Sequence, residues 1–294
     1  MRKKIALVLG VLLVLAAMTA CTGQSDEQGE VSADQTSEAA SEPAEQAADA
    51  TEDTAAVQSG DGEVLNRITE NGKLIMLTNA AFPPYEYRLS DGTIAGVDAD
   101  LAQAIADKLG VELEIVDMEF DSLIPALLSG KGDVVAAGVT ITPERLASVD
   151  FSDTYADAKQ LIIVPKEGAT VSGEDDLAGK NLGVQLGTTG DLLATDIEGA
   201  TVSQYKSGLE AAMDLQNGRL DAVILDMLPA QNIVAQNDDL VVIDMDSTDE
   251  QYAVAVAKNN ADFLDVINGV IAQLSEDGAF EEMTSKHIEA SRAG

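Results

Sequence analysis

Beyond residue 63 the chain alternates short, wholly apolar runs with longer runs that are apolar on one face only. Lys73-Leu74-Ile75-Met76-Leu77-Thr78 reads as a buried strand, followed by turn chemistry at Phe82-Pro83-Pro84-Tyr85. Asp98 to Leu109 places Leu101, Ala102, Ile105 and Leu109 on one helical face, with Gly110 as its stop. Val111 to Val116 alternates like a strand with one solvated face, Ser122 to Ser129 is helical, and Asp133 to Ala137 is another buried strand. The same grammar predicts strands at 181–185, 201–205 and 221–225, with helices at 190–197 and 207–217. Such alternation predicts parallel sheets flanked by helices, with ligands at the carboxyl ends of the strands. Two apolar runs, Gln160 to Val164 and Tyr252 to Ala257, stand apart and enclose residues 165–251. They predict two hinge crossings between two α/β lobes, one lobe being inserted in the sequence of the other.

The first 62 residues follow other rules. Met1-Arg2-Lys3-Lys4 precedes an unbroken run of small or apolar residues from Ile5 to Ala20, the pattern of a secretory signal. Cys21 stands directly after it, in Ala17-Met18-Thr19-Ala20-Cys21. This resembles the bacterial lipoprotein signal, with Met18 where Leu is more usual, and implies cleavage before Cys21 and lipidation of its thiol. Each buried CH₂ of an acyl chain contributes ~0.8 kcal/mol, so several chains hold a protein at a membrane. Residues 22–62 carry 11 acidic residues, no basic or aromatic ones, and only Val31 and Val57 as larger aliphatics. Burial there cannot offset chain entropy, which predicts a disordered acidic spacer behind the anchor.

Composition removes several functions. Against 17 Lys and Arg stand 52 Asp and Glu, a formal net charge of −35 in 294 residues. Nucleic acid needs clustered cations to displace counterions, so it is not expected as a partner. Subtracting the +3 of the signal and the −11 of the spacer still leaves −27 on the rest. One Cys and one His rule out a disulfide framework and a thiolate or multi-histidine metal centre, so no metal or cofactor is expected. His287, in Thr284-Ser285-Lys286-His287, reads as a surface residue of a C-terminal helix.

Ordered motifs across 63–288 carry a specific likeness. They are Phe82-Pro83-Pro84-Tyr85-Glu86-Tyr87, Gly96-Val97-Asp98-Ala99-Asp100-Leu101, Phe120-Asp121-Ser122-Leu123-Ile124-Pro125-Ala126-Leu127 and Gly130-Lys131-Gly132-Asp133. Gly138-Val139-Thr140-Ile141-Thr142-Pro143-Glu144-Arg145 is the most specific, followed by Val149-Asp150-Phe151-Ser152. Gly183-Val184-Gln185-Leu186-Gly187-Thr188-Thr189 and Leu220-Asp221-Ala222-Val223-Ile224-Leu225-Asp226 complete the set. Together they resemble the solute-binding proteins of polar-amino-acid ABC importers, bacterial solute-binding protein family 3. The resemblance implies a two-lobed type II periplasmic-binding-protein (Venus-flytrap) fold that closes on its ligand. With the N-terminal readings, the chain divides into a signal peptide at 1–20, a lipidated cysteine and spacer at 21–62, lobe I at 63–158 and 252–294, and an inserted lobe II at 159–251. The implied protein is a monomeric, non-enzymatic lipoprotein outside the cytoplasm, delivering an amino acid to a permease with its ATPase. A sensory ligand-binding lipoprotein and a dehydratase-like enzyme on the same fold remain as alternatives.

Thr142-Pro143-Glu144-Arg145 is a helix start in its own right, with Thr142 able to cap and Pro143 suited to the first position. Arg145 then sits in the first turn, where a guanidinium can grip a carboxylate in bidentate fashion; its bland alternative is a surface pair with Glu144 or Asp150. Asp226 ends a buried strand, a place for functional groups in an α/β sheet but also for turn formers and helix caps. The resemblance assigns Arg145 to the ligand's α-carboxylate, assisted by backbone N–H groups around Thr140 and Thr189. It assigns Asp226 to the α-ammonium, with the Gly138 carbonyl and Thr140 hydroxyl. Phe82 and Phe120 map onto the aromatic pair that sandwiches the ligand side chain. Asn79 and Gln185 fall at positions that tune specificity, and two neutral amides there favour an uncharged polar ligand over Lys or Arg. Glu86 is a further acid that could reach the cleft.

Overall fold

In the computed structural model the described residues are 62–246 and 249–293. The signal run, Cys21 and nearly all of the spacer lie outside them. The strands are β1 (Lys73–Thr78), β2 (Ala81–Phe82), β3 (Glu86–Arg88), β4 (Ile94–Ala95), β5 (Glu112–Asp117), β6 (Val134–Val135) and β7 (Val149–Ala158). They continue as β8 (Gln160–Pro165), β9 (Asn181–Gln185), β10 (Thr201–Tyr205), β11 (Ala222–Asp226), β12 (Leu240–Asp244) and β13 (Glu250–Ala257). The helices are α1 (Glu63–Asn71), α2 (Val97–Leu109), α3 (Leu123–Leu128), α4 (Pro143–Ser148) and α5 (Thr189–Asp196). After them come α6 (Gly208–Gln216), α7 (Met227–Ala235), α8 (Ala261–Glu276) and α9 (Ala279–Ala293).

Two five-stranded sheets organise two lobes, in the orders β5-β1-β6-β13-β7 and β10-β9-β11-β8-β12. In the first, β1 runs parallel to β5 and β6; in the second, β9 runs parallel to β10 and β11. The other two strands of each sheet are antiparallel, β13 to β6 and β7, and β8 to β11 and β12. The sheets are therefore mixed, which corrects the expectation of parallel ones. Parallel neighbours need a crossover, usually a helix, between them. β8 enters its sheet directly from β7, with only Lys159 between, so no helical crossover fixes its direction.

Period-two alternation sorts β1 into two half-cores. Leu74 and Met76 join Leu101, Ile105, Phe263 and Ile267 under α2 and α8, whereas Leu77 joins Val135, Leu123 and Leu127 under α3. In the second lobe Ile162, Val164, Leu182, Val184, Ala222 and Ile224 form a core whose strand residues are covered on both faces.

His287 also departs from its sequence reading. It is only 3% exposed, with Nδ1 3.0 Å from the Tyr87 hydroxyl and Nε2 3.0 Å from an Asp100 carboxylate oxygen. Lys286 pairs with the same carboxylate at 2.9 Å. The partners come from β3 and α2, so the helical periodicity of α9 alone could not reveal them. Nor is Phe82-Pro83-Pro84-Tyr85 a bare turn, because β2 and β3 pair antiparallel on either side of it.

Candidate functional site: a cleft between the lobes

The carboxyl ends of the central strands meet between the lobes. Phe82, Phe120, Gly138, Thr140 and Arg145 line one wall of a cavity there, and Gln185, Thr188, Thr189 and Asp226 line the other. Eight of the nine ligand-binding residues expected from sequence thus share one cavity. Asn79 stands one hydrogen bond behind it. Its Nδ2 donates to the Met118 carbonyl at 2.8 Å, and its Oδ1 accepts from Gln185 Nε2 at 2.9 Å. A roomier hollow at the edge of the second lobe, among Lys166, Gln216 and Asp239, is open to solvent and gathers no such set of groups.

Arg145 is placed by a capped helix start. Thr142 has extended backbone geometry and its hydroxyl accepts from the Arg145 N–H at 3.2 Å, with Pro143 opening α4. The guanidinium then reaches inward, donating to the Thr140 carbonyl at 2.7 Å and, across the cleft, to the Gly187 carbonyl at 3.1 Å. It lies 5.4 Å from the centroid of the Phe120 ring, within cation–π range. Asp150, a possible surface partner, is instead bound by Lys258. Burial pulls the guanidinium's pKa down while Asp226 and Glu250 pull it up.

Gly138 sits where no other residue fits. Its φ is +55°, and an added Cβ would lie 2.9 Å from Cε1 of Phe82, so a side chain there would displace the ring. Its N–H donates to Asp98 Oδ2 at 2.8 Å, and the Tyr155 hydroxyl donates to the same oxygen at 2.9 Å. Beneath it Glu86 is fully buried, with Asp98 as its carboxyl neighbour. Desolvation, then repulsion from Asp98, pushes the Glu86 carboxyl well above the usual range, which favours the protonated form that can donate to Asp98. Asp98 itself is raised to about 6 by desolvation, opposed by its hydrogen bonds. Glu86 supports the cleft floor and does not line the cavity.

Asp226 closes β11 and is 4% exposed. It heads α7 without capping it; its carboxylate instead accepts from the Tyr252 hydroxyl of β13. Desolvation first, and then the Glu250 charge, raise it to about 6. Opposite, the Gln185 Nε2 donates to Asn79 and, at 3.2 Å, to the Lys206 carbonyl, which fixes the amide's orientation. Its Oε1 is left as a buried acceptor with no protein partner. Thr188 caps α5 by accepting from the Asp191 N–H at 3.3 Å.

Sequence reasoning missed four residues that complete the site: Thr188, Gln160, Glu250 and Tyr252. Thr188 stands inside the motif Gly183 to Thr189, next to the singled-out Thr189. Gln160 and Tyr252 opened the two crossing runs, a signal that was present but unused. Glu250 carried none, being one acid among 52.

The family model of bacterial extracellular solute-binding proteins, family 3, matches residues 74–290. The L-cystine-binding protein TcyJ of Escherichia coli K12 is 33% identical over 229 residues, covering 77% of this chain and 86% of its own length. The arginine-binding extracellular protein ArtP of Bacillus subtilis 168 is 34% identical over 229 residues, covering 75% and 89%. Among solved structures, a Gly52Ala mutant of the arginine-bound ArgBP of T. maritima is 44% identical, with a TM-score of 0.70 over 71% of this chain and 99% of that one. Motifs, sheet plan and matches agree on one assignment: the chain belongs to the bacterial extracellular solute-binding proteins, family 3.

Proposed function

We propose that the protein is an extracytoplasmic receptor that binds an amino acid between its lobes and passes it to an ABC permease. The observation that carries this reading is the pair of opposite charges, Arg145 and Asp226, which come from opposite walls and line one cavity. An α-carboxylate and an α-ammonium are their natural partners, because a charge leaving water needs a preorganised counter-charge. Phe82 and Phe120 flank the side chain in this reading. Nothing in it requires a chemical step, so the protein acts by binding. Lobe I is residues 63–158 with 252–294, lobe II is 159–251, and the protein works as a monomer held at the membrane through Cys21.

The ligand class follows from Gln185. Two neutral amides at positions 79 and 185 read in sequence as favouring an uncharged ligand. Asn79, however, spends both its groups on protein partners, and Gln185, which lines the cavity, keeps an unpartnered buried acceptor. A side chain rich in N–H donors satisfies that acceptor, and the arginine-binding relatives support L-arginine first.

Thermal unfolding of the full-length chain and of Cys21→Ser with a panel of amino acids tests the reading. Arginine at 100 times its Kd adds ~2.7 kcal/mol and raises Tm by ~5–10 °C in both proteins. Only the wild type fractionates with membranes. No shift with any amino acid removes the receptor reading, a shift with others but not arginine removes the ligand assignment, and a membrane-bound Cys21→Ser protein removes the anchor.

A further inference from the structure

Glu250 lies behind the cleft, where the two lobes share a single carboxylate. It opens β13, and its Oε2 accepts hydrogen bonds of 2.8 Å from the hydroxyls of both Thr140 and Thr189. Thr140 follows β6 in the first lobe, and Thr189 begins α5 in the second. Both threonines line the cavity that holds Asp226; Glu250 does not. Gln160 Nε2 steadies the arrangement, donating at 3.2 Å to Glu250 Oε1 and at 3.2 Å to the Thr189 oxygen.

A threonine hydroxyl has one proton to donate and two lone pairs with which to accept. A carboxylate can only accept. Each hydroxyl that meets Glu250 must therefore spend its proton there, and what remains on its oxygen is acceptor capacity. At Thr189 part of that capacity is taken by Gln160; at Thr140 it is free to face the ligand.

We propose that Glu250 is a positioning residue that fixes the polarity of the Thr140 and Thr189 hydroxyls, so that the wall beside Asp226 presents acceptors to the ligand's ammonium group. The inference rests on the reading that an amino acid occupies this cavity. It adds that recognition of the ammonium is set from behind, by a group that never touches it, and that one residue imposes it on both lobes. Without that carboxylate either hydroxyl can rotate and point its proton at a cation.

The test compares L-arginine with its 2-hydroxy analogue, 5-guanidino-2-hydroxypentanoate, by calorimetric titration of the intact protein. Glu250→Gln nearly preserves shape, but its amide N–H must donate to a neighbour, freeing a threonine proton. Arginine affinity should fall about 10-fold or more and the hydroxy acid's by less than about 3-fold, since a hydroxyl can donate or accept. Thr140→Val should lose the same discrimination by itself, and Thr140→Ser should keep it, so the inference stays testable if Glu250→Gln does not fold. Equal losses for both ligands would make Glu250 a mere clasp and overturn the proposal. So would a Thr140→Val protein that discriminates as the wild type does. If the wild type ignores arginine but binds L-histidine, the ligand assignment fails separately, and the same comparison is made with histidine and its 2-hydroxy analogue. A wild type that binds no amino acid overturns both.

Discussion

The two lobes are built on one strand plan, three parallel strands, then one antiparallel to both its neighbours, then an edge strand, yet their facing ends are prepared differently. On the first wall the working groups are already braced. Arg145 is anchored on the Thr140 carbonyl and Gly138 on Asp98. On the second wall groups are left wanting. Gln185 holds an unpartnered acceptor, and the Asp226 carboxyl is raised because burial opposes its charge. The difference teaches that equivalent strand ends need not share a task. In the proposed reading, one wall is a preformed seat for a carboxylate, and the other is completed by the donors of the ligand.

The sharpest way to break this contrast is to remove either charge. Truncating one partner of a desolvated, hydrogen-bonded ion pair costs ~2–5 kcal/mol, or ~30- to 4,000-fold in affinity. Arg145→Ala should weaken every ligand by this factor, the hydroxy analogue included. Asp226→Asn should do so only for ligands that carry an ammonium group. Titration of both ligands against both variants decides it, and an Arg145→Ala protein with wild-type affinity would sink the proposed site.

A smaller effect comes from pH. Asp226 must be ionised to hold a cation, and free it titrates near 6, so arginine affinity should drop ~10-fold between pH 7 and pH 5. The stability of the unliganded protein responds with the opposite sign. Asp98 and Asp226 are raised in the folded state, so between pH 4 and 6 the folded form binds more protons than the unfolded one. Their contribution therefore falls as pH rises through that window. Denaturant titration of the wild type and Asp226→Asn at pH 4.5 and 6.5 should show the wild type losing more stability than the variant. Identical losses would place Asp226 in an environment no different from water.

The smallest effect expected is at Glu86. A carboxyl held neutral is closely mimicked by an amide, so Glu86→Gln should stay within ~1 kcal/mol of wild-type stability and ~3-fold in arginine affinity. A larger loss of arginine affinity, read by calorimetry at neutral pH, would mean that Glu86 is charged and that the first wall also attracts cations.

The alternation of apolar runs made most of this architecture legible, since the buried strands β1, β9 and β11 each advertise themselves locally. Eight cavity residues were legible for a different reason: motif order located them, with Arg145 supported independently by its helix-start chemistry. What stayed hidden depends on contacts across the fold. Sheet direction at β8 was one such case, because it is decided by what precedes the strand. The burial of His287 needed Tyr87 and Asp100, and the role of Glu250 needed Thr140 and Thr189. Asn79 and Gln185 looked alike as amides, and only their partners tell the spent one from the unspent one.

The placement of β13 between β6 and β7 has a consequence for how such a chain is made. The second sheet is complete once residue 244 has emerged, from one contiguous stretch of about 85 residues. The first sheet contains the earliest strands but lacks an interior one until residue 257 appears. Its early strands must wait, unpaired at that edge, while the later lobe is synthesised. Order of synthesis and order of completion are thus reversed, and a chain halted between the two would present one finished sheet and one open edge.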